Sequence, residues 1–281
     1  MYEVIFLWAL ALVYLVFAVV QDLRTREIAN WISFSLMIFA LGFRFFYSLF
    51  NNANFSFFYQ GLIGLGIFFA LGNLFYYGKI FAGGDAKLMI ALGTILPLSF
   101  DFISNVQTFF NFLLIFLFAG FIYILIASTV LGLKNFKKFR KEFSSQLKKN
   151  KKFVIGVLSA SVVFLLLGFI NFLFLFFGLF FSFTYFLFLY SKTIDEVCMV
   201  REIQTIHLRE GDWLYSDLKI GRNVIKANWD GLTKEDIEKI RKKFRKIKIR
   251  QGIPFSPNFL ISFIIFMLLT IFRVNLWNPF R

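Results

Sequence analysis

Residues 1–30 read MYEVIFLWALALVYLVFAVVQDLRTREIAN, a nearly uncharged apolar run of twenty residues followed by a short charged segment. A helix of about 20 apolar residues is long enough to cross the hydrocarbon core of a bilayer. The run has Glu3 in place of a basic start, and no small-residue cleavage site precedes Asp22, so we expect a retained membrane helix rather than a signal peptide. The charged segment then places the Asp22 carboxylate beside hydrocarbon, where an ionised group is costly and often functional.

The whole chain has the composition of a membrane protein. Hydrophobic residues make up 59% of its 281 residues, and the mean hydropathy is +0.72. We predict an all-α polytopic membrane protein with about eight transmembrane helices, with six to eight compatible with the apolar runs. The predicted spans are Tyr2–Val20, Ile28–Leu49, Tyr59–Tyr77, Ala86–Phe100, Thr108–Leu131, the double-length run Val154–Tyr190, and Pro257–Phe272.

The run Val154–Tyr190 holds 37 residues without a charge. As one straight helix it would be about 55 Å long, far more than the core thickness. A hairpin that breaks near Gly168–Asn171 would return the chain to the side from which it came. We expect this hairpin, although the sequence leaves open whether the run forms two spans or one.

The charges of the loops predict the sidedness of the helices, because cytoplasmic loops carry an excess of Lys and Arg. Arg24 and Arg26 follow the first span, Lys79 and Lys87 follow the third, and nine cations lie in residues 134–152. The intervening loops, residues 50–58 and 99–107, carry no cation. This alternation predicts a plasma-membrane protein with its N-terminus outside, and with Asp22 and Asp85 both at the cytoplasmic face.

The formal net charge of +15 and the single cysteine limit the classes of function. The cations cluster in two blocks, and no nucleic-acid motif accompanies them, so we interpret them as cytoplasmic anchors that face membrane lipid and expect no nucleic-acid partner. Cys198 alone excludes an internal disulfide and a multi-cysteine zinc site. We therefore expect no metal and no cofactor.

A polar segment before the last span predicts a small cytoplasmic α+β domain. Residues 203–208 and 218–225 have strand-like composition, and Thr233 and Asp236 have the spacing of a capping box, which predicts a helix to about residue 246. The predicted organisation is catalytic transmembrane helices at residues 1–133, a basic cytoplasmic loop at 134–152, an apolar helical hairpin at 153–190, the small domain at 191–256, and a C-terminal transmembrane helix at 257–281.

The second carboxylate, Asp85, lies in Phe81-Ala-Gly-Gly-Asp85-Ala-Lys87, where a further apolar segment begins. Two carboxylates a few ångström apart cannot both ionise cheaply, so one is protonated while the other is charged. The charged one can draw a proton from water, and the protonated one can donate a hydrogen bond to a peptide carbonyl. We predict that Asp22 and Asp85 form such a catalytic pair, but the sequence does not assign acid and base between them.

Gly83, Gly84 and Lys87 are the predicted supports of this site. Glycine lets the backbone approach a substrate strand closely, while Lys87 either helps to hold Asp85 ionised or extends to the lipid headgroups. The structural alternative is a helix start, with Asp85 as its cap and the glycines as a turn. The residues that bind substrate are not evident from the sequence.

Asp22-Leu-Arg-Thr-Arg-Glu-Ile-Ala-Asn30 and Gly83-Gly-Asp-Ala-Lys87 together resemble the two signatures of the prepilin peptidases, membrane aspartic proteases of the GxGD class whose archaeal branch includes the preflagellin (prearchaellin) peptidases. The resemblance is strongest over residues 15–95. Ala82 stands where the GxGD pattern has its first glycine, and the four-cysteine domain of many bacterial relatives is absent from this sequence.

The resemblance implies an aspartic endopeptidase that removes the short basic leader from type IV pilin-like precursors, either prepilins or archaellin precursors, at the cytoplasmic face. It implies that Asp22 and Asp85 carry the reaction. Two other classes of protein stay open: a proton-coupled transporter, which would place acids near mid-membrane, and a non-enzymatic filament assembly factor, in which both aspartates would be replaceable. The sequence gives neither the precursor nor the oligomeric state.

Overall fold

The computed structural model describes residues 2–50, 55–220, 223–229, 231–272 and 274. Ten helices and five strands are found in these residues, and they fall into two compact units, Met1–Ile124 with Pro254–Arg281 and Leu125–Ile253. The helices are α1 (Tyr2–Thr25), α2 (Asn30–Phe50), α3 (Ser56–Tyr77), α4 (Gly83–Leu92), α5 (Phe102–Lys134), α6 (Phe136–Lys149), α7 (Lys151–Leu167), α8 (Phe172–Ile194), α9 (Lys234–Lys243) and α10 (Ser256–Ile271). The strands are β1 (Val200–Gln204), β2 (Trp213–Leu214), β3 (Leu218–Ile220), β4 (Asn223–Ile225) and β5 (Lys246–Arg250).

The first unit is a bundle of α1 to α4, the N-terminal part of α5, and α10. Its core is built from aliphatic and aromatic side chains with almost no exposed surface, including Leu7, Leu15, Phe68 and Phe112. Many large apolar side chains on the outer faces of these helices remain exposed, as expected of surfaces that face lipid. The predicted first, second, third and fifth spans are all helices. Three of them extend three to six residues beyond the predicted span at one or both ends, whereas α2 begins two residues later and ends one residue later than predicted.

The predicted span Ala86–Phe100 is wrong as a continuous helix. The helix α4 ends at Leu92 and covers only ten residues, about 15 Å, which is half of a membrane crossing. Residues 93–100 continue in turns and irregular backbone, and this segment is largely buried in the bundle. Irregular backbone is tolerated at membrane depth where it is buried in protein and its polar groups find partners.

The second unit contains the predicted hairpin. The run of apolar residues breaks at residues 168–171 into α7 and α8, which pack against each other, and the Asn171 side chain accepts a hydrogen bond from the Leu173 backbone N–H (3.0 Å). The break near Gly168–Asn171 is therefore confirmed. The basic segment 134–152 is not a loop, however, because most of it forms the helix α6, which meets α7 at an angle of 80°.

The small sheet region lies in the same unit. Strand β5 pairs antiparallel with both β1 and β2, with Ile203 opposite Ile247, while β3 and β4 form a separate hairpin. The predicted capping box of α9 is confirmed, although α9 ends at Lys243 rather than near 246. Strand β5, which the sequence analysis did not predict, supplies Ile247 and Ile249 to the core of this region.

Within the described residues, five helices are long and apolar enough to cross a membrane, or six when the bent pair α6 and α7 counts as one span. The helices that fall short are α4, α7 on its own, and α10 with sixteen residues. The chain is therefore a multi-pass membrane protein that is mostly helical and carries a small sheet region. The predicted total of about eight spans is not reached by this measure.

Candidate active site

Asp22 lies in the last turn of α1, and only 7% of its surface is exposed. Its Oδ2 accepts a hydrogen bond from the backbone N–H of Ser256, the first residue of α10 (3.3 Å). The first four N–H groups of a helix have no partner within the helix, and they carry the positive end of its dipole. The amino terminus of α10 therefore holds the Asp22 carboxylate in place and favours its negative charge.

Asp85 lies in the first turn of α4, where only 9% of its surface is exposed. Ala82 is the extended residue before the helix, so Asp85 is its third helical residue. From this position the Asp85 carboxylate accepts a hydrogen bond from the Ala82 backbone N–H, which is half of a capping box. Asp85 is thus not the N-cap itself, as the structural alternative had it, but it does stabilise the start of the helix.

Gly84 explains how α4 approaches the connection between α1 and α2. A Cβ atom added at Gly84 would lie 3.2 Å from the Cβ of Ile28, tighter than most real contacts. The lack of a side chain thus allows the start of α4 to pack directly on Ile28. Gly83 is less constrained, since a Cβ there would come no closer than 3.8 Å to the Tyr76 ring.

The connection that Gly84 contacts is itself tightly folded. Arg26 adopts a left-handed conformation (φ 61°), and its N–H donates to the Asp22 carbonyl (2.8 Å), which ends α1. The Gln21 side chain accepts a hydrogen bond from the Ala29 N–H (3.0 Å). Lys87 Nζ donates to Asn30 Oδ1 (2.7 Å), so it joins the first turns of α4 and α2.

The structure places the two aspartates within electrostatic range of each other in the first unit. The negative charge of Asp22 acts on the Asp85 carboxyl, and both groups are more than nine-tenths buried. Like charges in such a desolvated place favour a state in which the two carboxyls share one proton. This arrangement can supply one charged and one protonated carboxyl to a substrate, as general base and general acid.

A cluster of aromatic rings packs around the residue that leads into α4. The Phe81 ring lies 5.8 to 5.9 Å from the rings of Phe116, Phe255 and Phe259, measured between centroids. These partners belong to α5, to the residue before α10, and to α10 itself. The cluster therefore joins the segment that carries Asp85 to the helix whose amino terminus holds Asp22.

A groove opens between α2, α3 and α4, on a face of α4 that does not carry Asp85. Its volume is about 830 Å³, within the range of ligand pockets. Gly83, Ala86 and Lys87, on either side of Asp85 in the sequence, form part of its wall. As for a metal site, no group of three or more His, Cys, Asp or Glu side chains is assembled within the residues that the structure describes.

A model of the type IV leader peptidase family matches residues 9–130, which include both aspartates. The matched residues make up less than half of the chain, and over them the chain is similar to that family. A preflagellin peptidase from Methanococcus maripaludis (strain C6 / ATCC BAA-1332) is 36% identical over 83 residues, or 30% of this chain and 35% of that protein. The chain thus spans about a third of the length of this relative, and no solved structure matches it.

These similarities confirm the resemblance to the prepilin and preflagellin peptidases that the two sequence signatures indicated. The leader peptidase match ends within α5, so it does not include the small sheet region or α10. Ser256, whose N–H contacts Asp22, therefore lies outside the matched residues.

Three residues that the structure makes prominent were not singled out from the sequence, two of them near Asp22 and one beyond the carboxyl end of α4. Ser256 contacts Asp22, and the hydroxyl of Tyr123 donates to the Pro254 carbonyl (2.8 Å) within electrostatic range of Asp22. Arg44 is fully buried in α2. Only Arg44 gave a signal that could have been used, because an arginine within the apolar run Ile28–Leu49 needs a partner inside the bundle.

Proposed function

We propose that this protein is a membrane aspartic endopeptidase that removes the leader peptide from type IV pilin-like precursors. The observation that carries the proposal is the buried, electrostatically coupled pair of Asp22 and Asp85 inside the region that matches the type IV leader peptidase family. A single buried aspartate at a helix start has an ordinary structural explanation. Two of them brought together from α1 and α4 form the constellation that acid–base hydrolysis of a peptide needs.

The chemistry follows from the protonation of the pair. The ionised carboxylate takes a proton from a water molecule, which attacks the scissile carbonyl carbon. The protonated carboxyl donates a hydrogen bond to the carbonyl oxygen as negative charge develops there. The leaving amine then receives a proton from the pair, and the peptide bond breaks to give a carboxylate and an amine.

The contacts around the pair hold the two carboxyls in place. The Asp22 carboxylate faces the amino terminus of α10 through the Ser256 N–H. Asp85 lies at the third position of α4 and also accepts a backbone hydrogen bond. We propose no metal and no cofactor for this reaction.

The proposed topology places the pair at the cytoplasmic face of the plasma membrane, with the N-terminus outside. The cation-rich segments 134–152 and 191–256 would then be cytoplasmic. The proposed substrates are prepilins or preflagellins, in line with the name of the similar preflagellin peptidase. Their basic leaders would lie on the same side of the membrane as the pair.

The test is leader removal by single variants of the pair. Asp22→Asn and Asp85→Asn keep the size of each side chain but remove its ability to ionise, so we expect either one to abolish cleavage of a co-expressed pilin-like precursor. Asp101→Asn is a matched control, because Asp101 is an exposed acid at the start of α5 that contacts Ser104. Cleavage is scored by the mobility shift of the precursor, and membrane insertion by protease protection.

Full cleavage by either single variant would contradict the two-aspartate mechanism. Loss of cleavage in the Asp101 control would instead indicate a general effect on folding. The same experiment separates the other classes of protein. An assembly factor would leave the precursor unprocessed even with wild-type protein, and a transporter would show proton-coupled flux that the two variants abolish.

A further inference from the structure

Ser256 has two polar groups beside Asp22, and only one of them is bonded. Its backbone N–H donates to Asp22 Oδ2 (3.3 Å), and the residue has no exposed surface. Its hydroxyl, in contrast, makes no hydrogen bond with any of the described residues. An unpaired buried hydroxyl costs stability, because it has left water without finding a new partner. A group of this kind next to a candidate catalytic carboxyl therefore needs an explanation.

The position of Ser256 explains why its hydroxyl has no partner within its own helix. A serine or threonine inside a helix commonly donates to the carbonyl one turn earlier, as Thr270 of α10 does to Phe266 (2.8 Å). Ser256 is the first residue of α10, so no helical turn precedes it. Its hydroxyl is thus available to a group outside the helix.

Two other carboxylates of this chain show what such a hydroxyl can do. Asp101 accepts both the N–H and the hydroxyl of Ser104, each at 2.9 Å. Asp236 likewise accepts the N–H (3.3 Å) and the hydroxyl (2.8 Å) of Thr233. In both cases the carboxylate that receives the backbone N–H also receives the hydroxyl of the same residue. At Ser256 the N–H bond is already made, and a change of the χ1 rotamer is the motion that brings the hydroxyl to the same carboxyl.

The backbone before Ser256 is anchored well enough for this motion to be confined to the side chain. The Tyr123 hydroxyl donates to the Pro254 carbonyl (2.8 Å). The next ring, Phe255, packs against Phe81, with 5.8 Å between the ring centroids. The chain is therefore held on both sides of the peptide that leads into α10, and the hydroxyl is the part of Ser256 that can turn.

We propose that Ser256 is a positioning residue for Asp22, and that its hydroxyl donates to the Asp22 carboxyl when a peptide substrate enters the site. The proposal rests on the proposed function, because it assigns the hydroxyl a role in the same hydrolysis. Two donors from one residue fix the plane of the carboxyl, and so the direction in which its oxygens face the water and the scissile peptide. Catalytic hydrogen bonds are often long before substrate binds and tighten afterwards, and the N–H bond of 3.3 Å leaves room for this.

The experiment compares Ser256→Ala with Ser48→Ala in full-length protein, with a pilin-like precursor that the wild-type protein cleaves. Ser48 is also buried, and its hydroxyl also lacks a hydrogen-bond partner among the described residues, but it lies in the last turn of α2, at the far end from the connection that follows Asp22. We expect Ser256→Ala to lower kcat about ten- to hundredfold with KM near the wild-type value, because a misplaced reacting group costs rate rather than binding. Ser48→Ala should leave both constants near the wild-type values.

The melting temperature separates this role from a structural one. Alanine removes an unpaired buried hydroxyl at either position, so we expect both variants to melt at or above the wild-type temperature. A serine hydroxyl that stabilised the fold would instead give a lower melting temperature together with the loss of activity. Ser256→Thr keeps the hydroxyl and should recover most of the wild-type kcat.

Wild-type kcat in Ser256→Ala, an equal loss of kcat in Ser48→Ala, or a fall in the melting temperature of Ser256→Ala would overturn the proposal. So would a Ser256→Thr variant that has the wild-type melting temperature and the low kcat of the alanine variant. In each of these cases, cleavage that still requires Asp22 and Asp85 would leave the two-aspartate mechanism intact. A wild-type protein that cleaves no precursor would overturn both the proposed function and this role.

Discussion

Arg44 is the residue that most directly allows α4 to end at Leu92, within the predicted span Ala86–Phe100. It is fully buried in α2, and its guanidinium donates hydrogen bonds to the carbonyls of Thr94 (2.8 Å), Ile95 (3.2 Å) and Pro97, just after the end of α4. A fourth hydrogen bond goes to the Phe57 carbonyl (3.0 Å). No salt bridge joins Arg44 to a carboxylate among the described residues, so its charge is received by carbonyl dipoles and by the Phe57 ring, whose centroid lies 4.3 Å from Arg44 Cζ.

We predict that Arg44→Met destabilises the first unit by about 3–5 kcal/mol. Methionine has a similar length and packs well, but it leaves four buried carbonyls without a donor. An orphaned buried acceptor costs about 1–3 kcal/mol. Relief from burying a charge offsets part of this sum, which leaves a net loss of about 3–5 kcal/mol.

The assay is the free energy of unfolding of detergent-solubilised protein, with Arg44→Lys as a second variant. Lysine keeps the charge but offers a point ammonium in place of a planar fork, so we expect an intermediate loss. Gly61→Ala serves as the second change in a double-mutant cycle with Arg44→Met, because an added Cβ at Gly61 would lie 2.6 Å from the Arg44 Cδ. Since both changes act on the same contact, their effects should not add in the double variant.

A free energy of unfolding for Arg44→Met within about 0.5 kcal/mol of the wild-type value would refute this reasoning, since surface substitutions alone cause changes of that size. Strict additivity with Gly61→Ala would refute the shared contact. A functional consequence also follows. Because Arg44 holds the carboxyl end of α4 and Asp85 lies at its amino end, Arg44→Met should lower kcat for leader removal more than it changes KM.

Three further predictions test local features of the fold. Thr233→Ala removes the N-cap hydroxyl of α9 and should destabilise the small sheet region by about 1 kcal/mol, as measured by thermal unfolding. Gly93→Ala should lower the melting temperature, because its Cβ would lie 2.5 Å from the Phe68 Cβ, whereas Gly42→Ala should leave the melting temperature unchanged or raise it. Ser104 donates to the Asp101 carboxylate and lowers the pKa of that carboxyl below its ordinary 3.8. We therefore expect the loss in free energy of unfolding caused by Asp101→Ala to be largest near pH 7. That loss should shrink as the pH falls below 3.8, because the carboxyl then becomes protonated.

The features that the sequence predicted correctly are those whose causes are local. The break at Gly168–Asn171 follows from an apolar run too long for one crossing, with a glycine and an asparagine at its middle. The capping box of Thr233 and Asp236 is made by residues three positions apart. Both features form from neighbours in the chain, so their residue types and spacing were sufficient.

The end of α4 at Leu92 has a distant cause. Residues 86–100 are apolar almost throughout, so composition alone predicted one continuous span. The helix can stop halfway because Arg44, some fifty residues earlier, satisfies the carbonyls that follow. The helix α6 was not predicted because its segment carries nine cations and so resembles a solvated loop. The contact that favours the helix is again distant in the sequence: the Phe139 ring packs against Tyr190 of α8, with 5.7 Å between the ring centroids.

The sequence by itself indicated a multi-pass membrane protein and singled out the two aspartates as the candidate pair, because apolar length and loop charge act over short stretches of chain. Tertiary structure decided how the aspartates meet. It set Asp22 against the amino terminus of α10, more than two hundred residues away, and it seated Asp85 on a half-length helix that packs on Ile28 through Gly84. It also formed the groove between α2, α3 and α4. Such contacts depend on which helices pack together, and no local pattern of residues records that choice.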